Sequence, residues 1–250
     1  MDDMLIYPLG STQACQYAAE FLKASGISLI DHPSPEVTHL LLDVPSFSPD
    51  GTLRSGGRIE SVLEMLPSDI TVIGGNLTHP ALSGYKTLDL LKDAAYTAAN
   101  AAITADCALR VAAQKLTIIF ADCPVLVIGW GRIGKCLGQK LKALGAKVTI
   151  ATRKEADRAM AAALSYITLD TTGLEDHVSD FRLIFNTAPQ LILEETALSQ
   201  CGNCVKIDLA SKPGIVGKDV IWAKGLPGIH APESSGKLIA ETILRLTGRQ

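Results

Sequence analysis

The stretch that decides the fold is residues 125–154, which read VLVIGWGRIGKCLGQKLKALGAKVTIATRK. A buried strand over Val125–Ile128 precedes a G-x-G-x-x-G turn, and a helix with apolar residues at helical spacing follows it. A turn at Gly145 then leads into a second strand over Lys147–Ile150. In a chain with 21 glycines, this spacing alone is weak evidence, because chance can produce it. A strand directly before the glycines and a helix directly after them are typical of a dinucleotide-binding βαβ unit.

The three glycines of the turn are needed for different structural reasons. Gly129 permits the tight turn, Gly131 lets the backbone approach a pyrophosphate, and Gly134 lets the helix pack closely on the strand. The amino terminus of the helix supplies free N–H donors and a favourable dipole. The predicted cofactor-binding residues of the turn are Gly129, Trp130, Gly131, Arg132, Ile133 and Gly134.

The residues after the second strand indicate which dinucleotide binds. An NAD site normally has Asp or Glu here, whereas this chain has Thr152, Arg153 and Lys154, with no acid before Glu155. Arg153 can clamp a 2′-phosphate, with Thr152 donating a hydroxyl and Lys154 adding charge. The alternative is that Arg153 and Lys154 are solvated loop charges. NADP is therefore the predicted cofactor, with NAD as the alternative.

Apolar runs bounded by Gly, Pro and Asp alternate with helical patterns along the rest of the chain, which predicts parallel sheets. The predicted fold class is α/β, with two doubly wound, Rossmann-like domains joined by a long Ala-rich helix. A buried helix of a single domain is the alternative for that Ala-rich segment. The predicted organisation is a small substrate-side domain over 1–93, a bridging helix over 94–115, a dinucleotide-binding domain over 116–232, and a C-terminal helix over 233–250 that packs back towards the first domain.

The remaining predicted elements follow the same signals. The last helix is expected to begin at Ser234-Ser235, which are good N-cap residues. The predicted strands outside the turn are Met4–Pro8, Ile27–Ile30, Leu40–Val44, Ile70–Gly74, Leu183–Asn186 and Val205–Leu209.

The composition excludes several classes of protein. Of the 250 residues, 47% are hydrophobic, and the net charge of −3 does not favour broad binding to nucleic acid. No apolar run is long enough for a membrane span, and the acidic start Met1-Asp2-Asp3 is unlike a secretory signal, so a cytoplasmic location is expected.

The Cys201-x-x-Cys204 pair is interpreted as a turn with two free thiols. The five histidines form no metal-ligand spacing, and no metal site is proposed.

Four strings of the sequence resemble the dipicolinate synthase A-subunit family of endospore-forming bacteria. They are residues 125–134, 186–189 (NTAP), 207–214 (IDLASKPG) and 225–236 (GLPGIHAPESSG), of which the last two are fairly specific to that family. The resemblance covers about 94–250, whereas the first 90 residues match only in general α/β style and look shorter than the family's amino-terminal domain.

The resemblance implies a function. It is the NADP-dependent oxidation of dihydrodipicolinate, or of its hydroxylated tetrahydro precursor, to aromatic dipicolinate during sporulation. The implied partners are the small dicarboxylate substrate and a flavoprotein-like B subunit, and a homo-oligomer is expected. The resemblance also places Asn100 and Thr104 as substrate residues. Departures from the family pattern are Ile103, Asp106, Cys107 and His230.

Further site residues follow from the rule that doubly wound sheets bind ligands beyond the carboxyl ends of their strands. The residues expected to flank the nicotinamide are Asn186, Thr187, Ala188, Pro189, Asp208 and Ala210. A dicarboxylate needs cations or N–H donors, for which Lys212, Ser234 and Ser235 are the candidates. The catalytic candidates are Lys212, His230 and Asp208, the last two as bases. A surface lysine and a hydrogen-bonded loop histidine are the alternatives for Lys212 and His230.

Two other functions stay open at this point. One is a dehydrogenase of 2-hydroxy acids, which the positions of Lys212, His230 and Glu233 fit poorly. The other is a nucleotide-sensing or scaffold module that has lost its substrate domain. The short first 90 residues and the departures in the expected cleft motivate that second alternative.

Overall fold

The computed structural model describes residues 4–249, which form two compact units. The first unit contains the residues up to Asn100 together with those from Pro227 onward, and the second is Ala101–Leu226. The helices are α1 (Gln13–Ala24), α2 (Ile59–Leu63), α3 (Ala94–Lys115), α4 (Arg132–Ala143), α5 (Glu155–Ala163), α6 (Glu195–Leu198), α7 (Leu226–His230) and α8 (Pro232–Leu246). The boundary at Asn100 therefore lies inside the Ala-rich α3. In the described part of the chain, no helix is both long and apolar enough to cross a membrane.

A five-stranded parallel sheet forms the centre of the first unit, in the spatial order β2-β1-β3-β4-β5. Its strands are β1 (Leu5–Pro8), β2 (Ser28–Leu29), β3 (His39–Leu41), β4 (Thr71–Gly74) and β5 (Lys86–Asp89). Successive strand residues enter apolar clusters on opposite faces, as Leu40 and Leu41 do. The first unit is therefore a layered α/β unit with its own sheet, although the sequence there looks shorter than the family's amino-terminal domain.

The last helix, α8, packs against α1 within the first unit. This close approach depends on Gly236. A Cβ at Gly236 would meet the Cβ of Tyr17 and would lie 2.6 Å from the carbonyl oxygen of Ala14. Any side chain larger than hydrogen would therefore push the two helices apart.

The start of α8 differs from the prediction. The helix begins at Pro232, where proline loses no hydrogen bond because the first helical N–H has no partner within the helix. The prediction that Ser234-Ser235 begins the helix is wrong. Ser235 is buried, and its hydroxyl donates to the carbonyl oxygen of Ala231 at 3.0 Å.

A six-stranded parallel sheet forms the centre of the second unit, in the order β11-β10-β9-β6-β7-β8. Counted from β6 as the first strand, this is the 3-2-1-4-5-6 order of dinucleotide-binding folds. The switch point between β6 and β9 lies where such folds bind their ligand. The predicted α/β fold class is confirmed. The strands are β6 (Pro124–Ile128), β7 (Lys147–Ala151), β8 (Ile167–Leu169), β9 (Leu183–Asn186), β10 (Val205–Asp208) and β11 (Val220–Trp222).

Candidate dinucleotide-binding site

The glycine turn follows β6 at the switch point of the sheet. Gly129 has a φ of +99°, in the left-handed region that favours glycine. A Cβ at Gly129 would meet the hydroxyl of Thr187, which donates to the carbonyl oxygen of Ile128 at 2.9 Å. The turn is thus pressed against the loop that follows β9, and both reasons require glycine at this position.

Gly134 and Gly131 are glycines for different reasons. A Cβ at Gly134 would collide with the carbonyl oxygen of Gly129, so helix α4 could not lie this close to the turn. At Gly131, by contrast, no protein atom lies within 4 Å of where a Cβ would stand, and φ is −78°. Packing within the protein therefore does not explain Gly131, whereas close approach of a ligand does. Gly131 is the N-cap of α4 and no side chain caps it, which leaves the first-turn N–H groups for an anion.

A cleft of about 350 Å³ opens beside the turn, at the carboxyl ends of the strands. Its charged residues are Arg153, Lys154 and Asp157, so the predicted 2′-phosphate residues do face an open site. Thr152 is buried directly after β7, and no carboxylate occupies that position. The lining residues are Gly129, Ala151, Thr152, Arg153, Lys154, Asp157, Thr171, Ala188, Gln190, Leu191 and Ile192.

Arg158, which sequence analysis missed, holds this end of the cleft. Its Nη1 donates to the carbonyl oxygens of Thr152 at 2.7 Å and Arg153 at 2.8 Å, and it pairs with Asp170 at 2.6 Å. The pKa of Asp170 is lowered, first by the N–H of Thr172 and then by the Arg158 charge. Arg158 lies on α5, five residues after Arg153, and only the fold brings its side chain back to the end of the strand.

A buried polar network joins the loops after β9 and β10. Asn186 Nδ2 donates to Asp208 Oδ1 at 2.9 Å and to the carbonyl oxygen of Ala188 at 3.0 Å. The Asn186 side-chain oxygen accepts from the N–H of Ala188 at 3.1 Å. Both side chains are fully buried. Asn186 and Ala188, which are predicted to flank the cofactor, therefore set the shape of the loop that follows β9.

Asp208 is occupied by this network and is not free to act as a base. Its Oδ1 also accepts from the Ala210 N–H at 2.9 Å, and its Oδ2 accepts from the N–H groups of Gly214 at 2.7 Å and Ile215 at 3.0 Å. With the bond from Asn186, these four bonds use the accepting positions of both oxygens. The predicted catalytic role of Asp208 is corrected to that of a positioning residue for the loop over 209–215.

Gly214, which the prediction gave no individual role, fixes how the two loops meet. A Cβ there would collide with the carbonyl oxygen of Ala188 and with the amide of Asn186. The carbonyl oxygen of Ala210 accepts from Trp222 Nε1 at 3.1 Å, so both backbone groups of Ala210 are engaged within the protein. Lys212 lies on the same loop with its side chain exposed.

The other predicted residues lie elsewhere in the chain. Asn100 and Thr104 are on α3, on either side of the unit boundary, and each has an interaction partner. His230 ends α7 in the first unit and also has an interaction partner. Ser234 is exposed on the first turn of α8. The hydroxyl of Ser235 is used within its own helix, which corrects its predicted role as a substrate donor.

Trp130 turns its ring into the protein rather than towards the cleft. The ring meets Tyr166 edge to face at a centroid distance of 5.4 Å and contacts the position where Gly138 would carry a Cβ. Among the described residues, its Nε1 is the one buried side-chain nitrogen or oxygen without a hydrogen-bond partner. The Trp130 ring therefore packs against helix α4 at Gly138. Contact between Trp130 and a dinucleotide would come from the Trp130 backbone.

The Cys201-x-x-Cys204 pair has two free thiols, which confirms its interpretation as a turn. Burial raises the pKa of the Cys204 thiol to about 12, which disfavours the reactive thiolate. Residues 4–249 contain no group of three His, Cys, Asp or Glu side chains placed to hold a metal ion.

The strand order and the glycine turn define the class of protein as one with a Rossmann-type dinucleotide-binding fold. No protein-family model matches the chain. The chain is similar to the A subunit of dipicolinate synthase from Bacillus subtilis (strain 168), with 31% identity over 156 residues. That match covers 59% of this chain and 52% of the relative, so it spans about half the relative's length.

The solved structures extend the likeness in fold to nearly the whole chain. The A subunit of dipicolinate synthase from Bacillus halodurans superposes with a TM-score of 0.83 and 21% identity, covering 98% of each chain. A transhydrogenase from Sinorhizobium meliloti superposes with a TM-score of 0.70 and 12% identity, covering 97% of this chain and 93% of its own. The resemblance predicted from the sequence is confirmed, and the fold likeness includes the first 90 residues.

Proposed function

We propose that this chain is the A-type subunit of a dipicolinate synthase, which oxidises dihydrodipicolinate or its hydroxylated tetrahydro precursor to dipicolinate with NADP. The observation that carries the proposal is the 31% identity to the A subunit of dipicolinate synthase from Bacillus subtilis. The dinucleotide site supports it, because its glycines and its cleft fit a pyrophosphate and an adenosine.

The fit of the cofactor rests on two parts of the second unit. The N–H groups at the start of α4 would hold the pyrophosphate, where Gly131 leaves the approach open. Arg153 and Lys154 would hold a 2′-phosphate, with the hydroxyl of Thr152 beside them. Asp157 also lines the cleft, and a carboxylate there suits the ribose hydroxyls of NAD. NAD is therefore the alternative cofactor, and binding measurements must compare the affinities for NADPH and NADH.

The proposed reaction removes two hydrogens from the substrate ring. When bound, the nicotinamide supplies the two-electron oxidant, which takes one hydrogen together with its electron pair. The second hydrogen leaves as a proton, to a side chain or to water, and the ring becomes aromatic. The hydroxylated precursor first loses water to give the dihydro compound.

The chain's own residues are assigned to substrate binding and proton transfer as follows. Lys212, exposed on the loop that Asp208 shapes, is proposed to bind a substrate carboxylate. His230 is proposed to accept the ring proton, since the occupied Asp208 has no free accepting position. Asn100, Thr104 and Ser234 remain proposed substrate residues. The proposed partners are further copies of this chain and a flavoprotein-like B subunit.

The test is spectrophotometric NADPH formation from freshly formed dihydrodipicolinate, with and without a B subunit. The Lys212→Gln variant is expected to raise KM for the dicarboxylate at least about tenfold, because a charge-assisted hydrogen bond is lost. The matched control Lys218→Gln, an exposed lysine elsewhere in the same unit, is expected to leave KM unchanged. Absence of turnover in both preparations would contradict the proposed function, as would turnover of 2-hydroxy acids alone.

A further inference from the structure

Helix α5 carries an apolar face that the fold leaves uncovered. After Arg158 its residues are Ala159-Met160-Ala161-Ala162-Ala163, and Leu164 follows them directly. All of these except Ala161 are exposed, Met160 to 57% and Leu164 to 51%. A helix at the surface of a globular protein normally turns a polar face to water. The second half of α5 has no polar face, which is typical of a helix that another surface covers.

Strand β8 continues this apolar surface at the edge of the sheet. It is the last strand of the six-stranded sheet, so within residues 4–249 no strand pairs with its outer side. The backbone N–H and C=O groups of that side are therefore open to pairing with another strand. Its first residue, Ile167, is 63% exposed, and β8 has no charged residue or proline that would prevent such pairing. Residues 159–164 and 167–169 together are named the α5–β8 surface.

One symmetry operation covers both parts of the α5–β8 surface. A two-fold axis perpendicular to the sheet and beside Thr168 places β8 antiparallel to β8 of a second copy. Because paired strands lie about 4.8 Å apart, this axis runs about 2.4 Å outside β8. Helix α5 packs against both β7 and β8, whose midpoint is one strand spacing, about 4.8 Å, from the axis. The two copies of α5 are then about 10 Å apart, which is the spacing of packed helices.

The charges at the two ends of α5 match this antiparallel arrangement. The exposed Glu155 is the first residue of the helix. At the other end, Lys142 Nζ donates to the carbonyl oxygen of Leu164 at 2.8 Å. Antiparallel helices bring the start of each beside the end of the other, so Glu155 of each copy approaches Lys142 of the other copy. A parallel arrangement would instead bring the two Glu155 carboxylates together.

We propose that the α5–β8 surface binds a second copy of this chain in an antiparallel, two-fold contact. The contact joins the two six-stranded sheets edge to edge and buries Met160, Leu164 and Ile167 of both copies. Burial of these side chains drives the association, while strand pairing and the Glu155–Lys142 pairs fix the register. This surface goes beyond the proposed reaction, and the contact does not depend on that reaction.

Sedimentation equilibrium of the full chain measures the association directly. The parent is expected to form a dimer at micromolar concentration. Met160→Glu is expected to weaken the dimer at least about 100-fold, because two apolar side chains are lost from the contact and two charges enter it. The matched control is Met65→Glu, since Met65 is 55% exposed in the first unit, and it should leave the association unchanged.

An exchange of charges tests whether the partner is a second copy in this orientation. Glu155→Lys and Lys142→Glu are each expected to weaken the dimer at least about threefold. The double variant is expected to regain most of that affinity, because it restores both pairs with their signs exchanged. Circular dichroism checks that each variant keeps the helix content of its parent.

Three results would overturn the proposal. They are a parent chain that stays monomeric, a Met160→Glu variant that associates as tightly as its parent, and a double charge variant that associates no more tightly than the single ones. A chain that is monomeric by itself and uses Met160 to bind a B subunit would also overturn it.

Discussion

Replacing Gly131 by alanine separates the binding role of the glycine turn from its role in the fold. The added methyl group would stand in open space, since no protein atom lies within 4 Å of that position. The backbone at Gly131, with φ of −78° and ψ of −169°, is one that alanine adopts freely. The substitution therefore perturbs only what approaches the turn from outside.

The expected change in stability is small because two effects oppose each other. Alanine is a poorer N-cap than glycine, which costs about 0.5–1 kcal/mol. The unfolded chain loses conformational freedom, which stabilises the fold by about 0.4–1 kcal/mol. The free energy of unfolding should thus stay within about 1 kcal/mol of the parent. A pyrophosphate displaced by the methyl group loses at least one charge-assisted hydrogen bond, about 1.5–3 kcal/mol, or about 10- to 100-fold in affinity.

Calorimetry with NADPH and urea denaturation measure the two quantities on the same samples. The control is Gly134→Ala, whose methyl group would collide with the carbonyl oxygen of Gly129. This variant should lose about 1–3 kcal/mol of stability. Unchanged NADPH affinity in a stable Gly131→Ala protein would refute the inference that the pyrophosphate approaches the protein backbone at this residue.

Three other perturbations follow from the same geometry. Arg153→Ala should weaken NADPH binding about 10- to 100-fold and NADH binding by less than about threefold, measured by calorimetry; equal losses would contradict a 2′-phosphate contact. Asp208→Asn should lower the free energy of unfolding, measured in urea, by about 3–5 kcal/mol, because the NH2 group of the asparagine would face backbone N–H donors. The control Asp219→Asn, at an exposed carboxylate, should change the free energy of unfolding by less than about 0.5 kcal/mol. Burial raises the pKa of the Cys204 thiol from 9.0 to about 12, so its contribution to stability is present below about pH 9 and is lost as the pH rises towards 12. Urea denaturation across that range should show the decline, and Cys204→Ala should make it shallower; an unchanged slope would exclude this thiol as a cause.

The sequence predicted the central strands and the edge strand β2, and missed the other three strands at the sheet edges. β6 and β9 are buried on both faces, and their continuous apolar runs are easily recognised. The missed strands β5, β8 and β11 all lie at an edge of a sheet, where a strand is short and has a partner on one side only. Such strands carry exposed or polar residues, so their hydrophobic pattern is weak.

The candidate site was predictable where a short motif carries the geometry. The glycine turn and the charges of Arg153 and Lys154 lie close to one another in sequence, and the fold places them at one cleft. The contacts of Arg158 were not predictable, because its side chain reaches from α5 back to the end of β7 and no local sequence pattern indicates this. The sequence predicts a base at Asp208 because carboxylates accept protons, but only the structure shows which N–H groups surround this carboxylate.

The most direct test of the proposed function is the stoichiometry of the full reaction. Purified chain, NADP and freshly formed dihydrodipicolinate are combined with and without the B subunit, and dipicolinate and NADPH are quantified in the same sample. The proposed function predicts that the two products form in equal amounts, and more slowly with Arg153→Ala at subsaturating NADP. Formation of neither product in either preparation, at protein concentrations where NADPH binding is saturated, would contradict it.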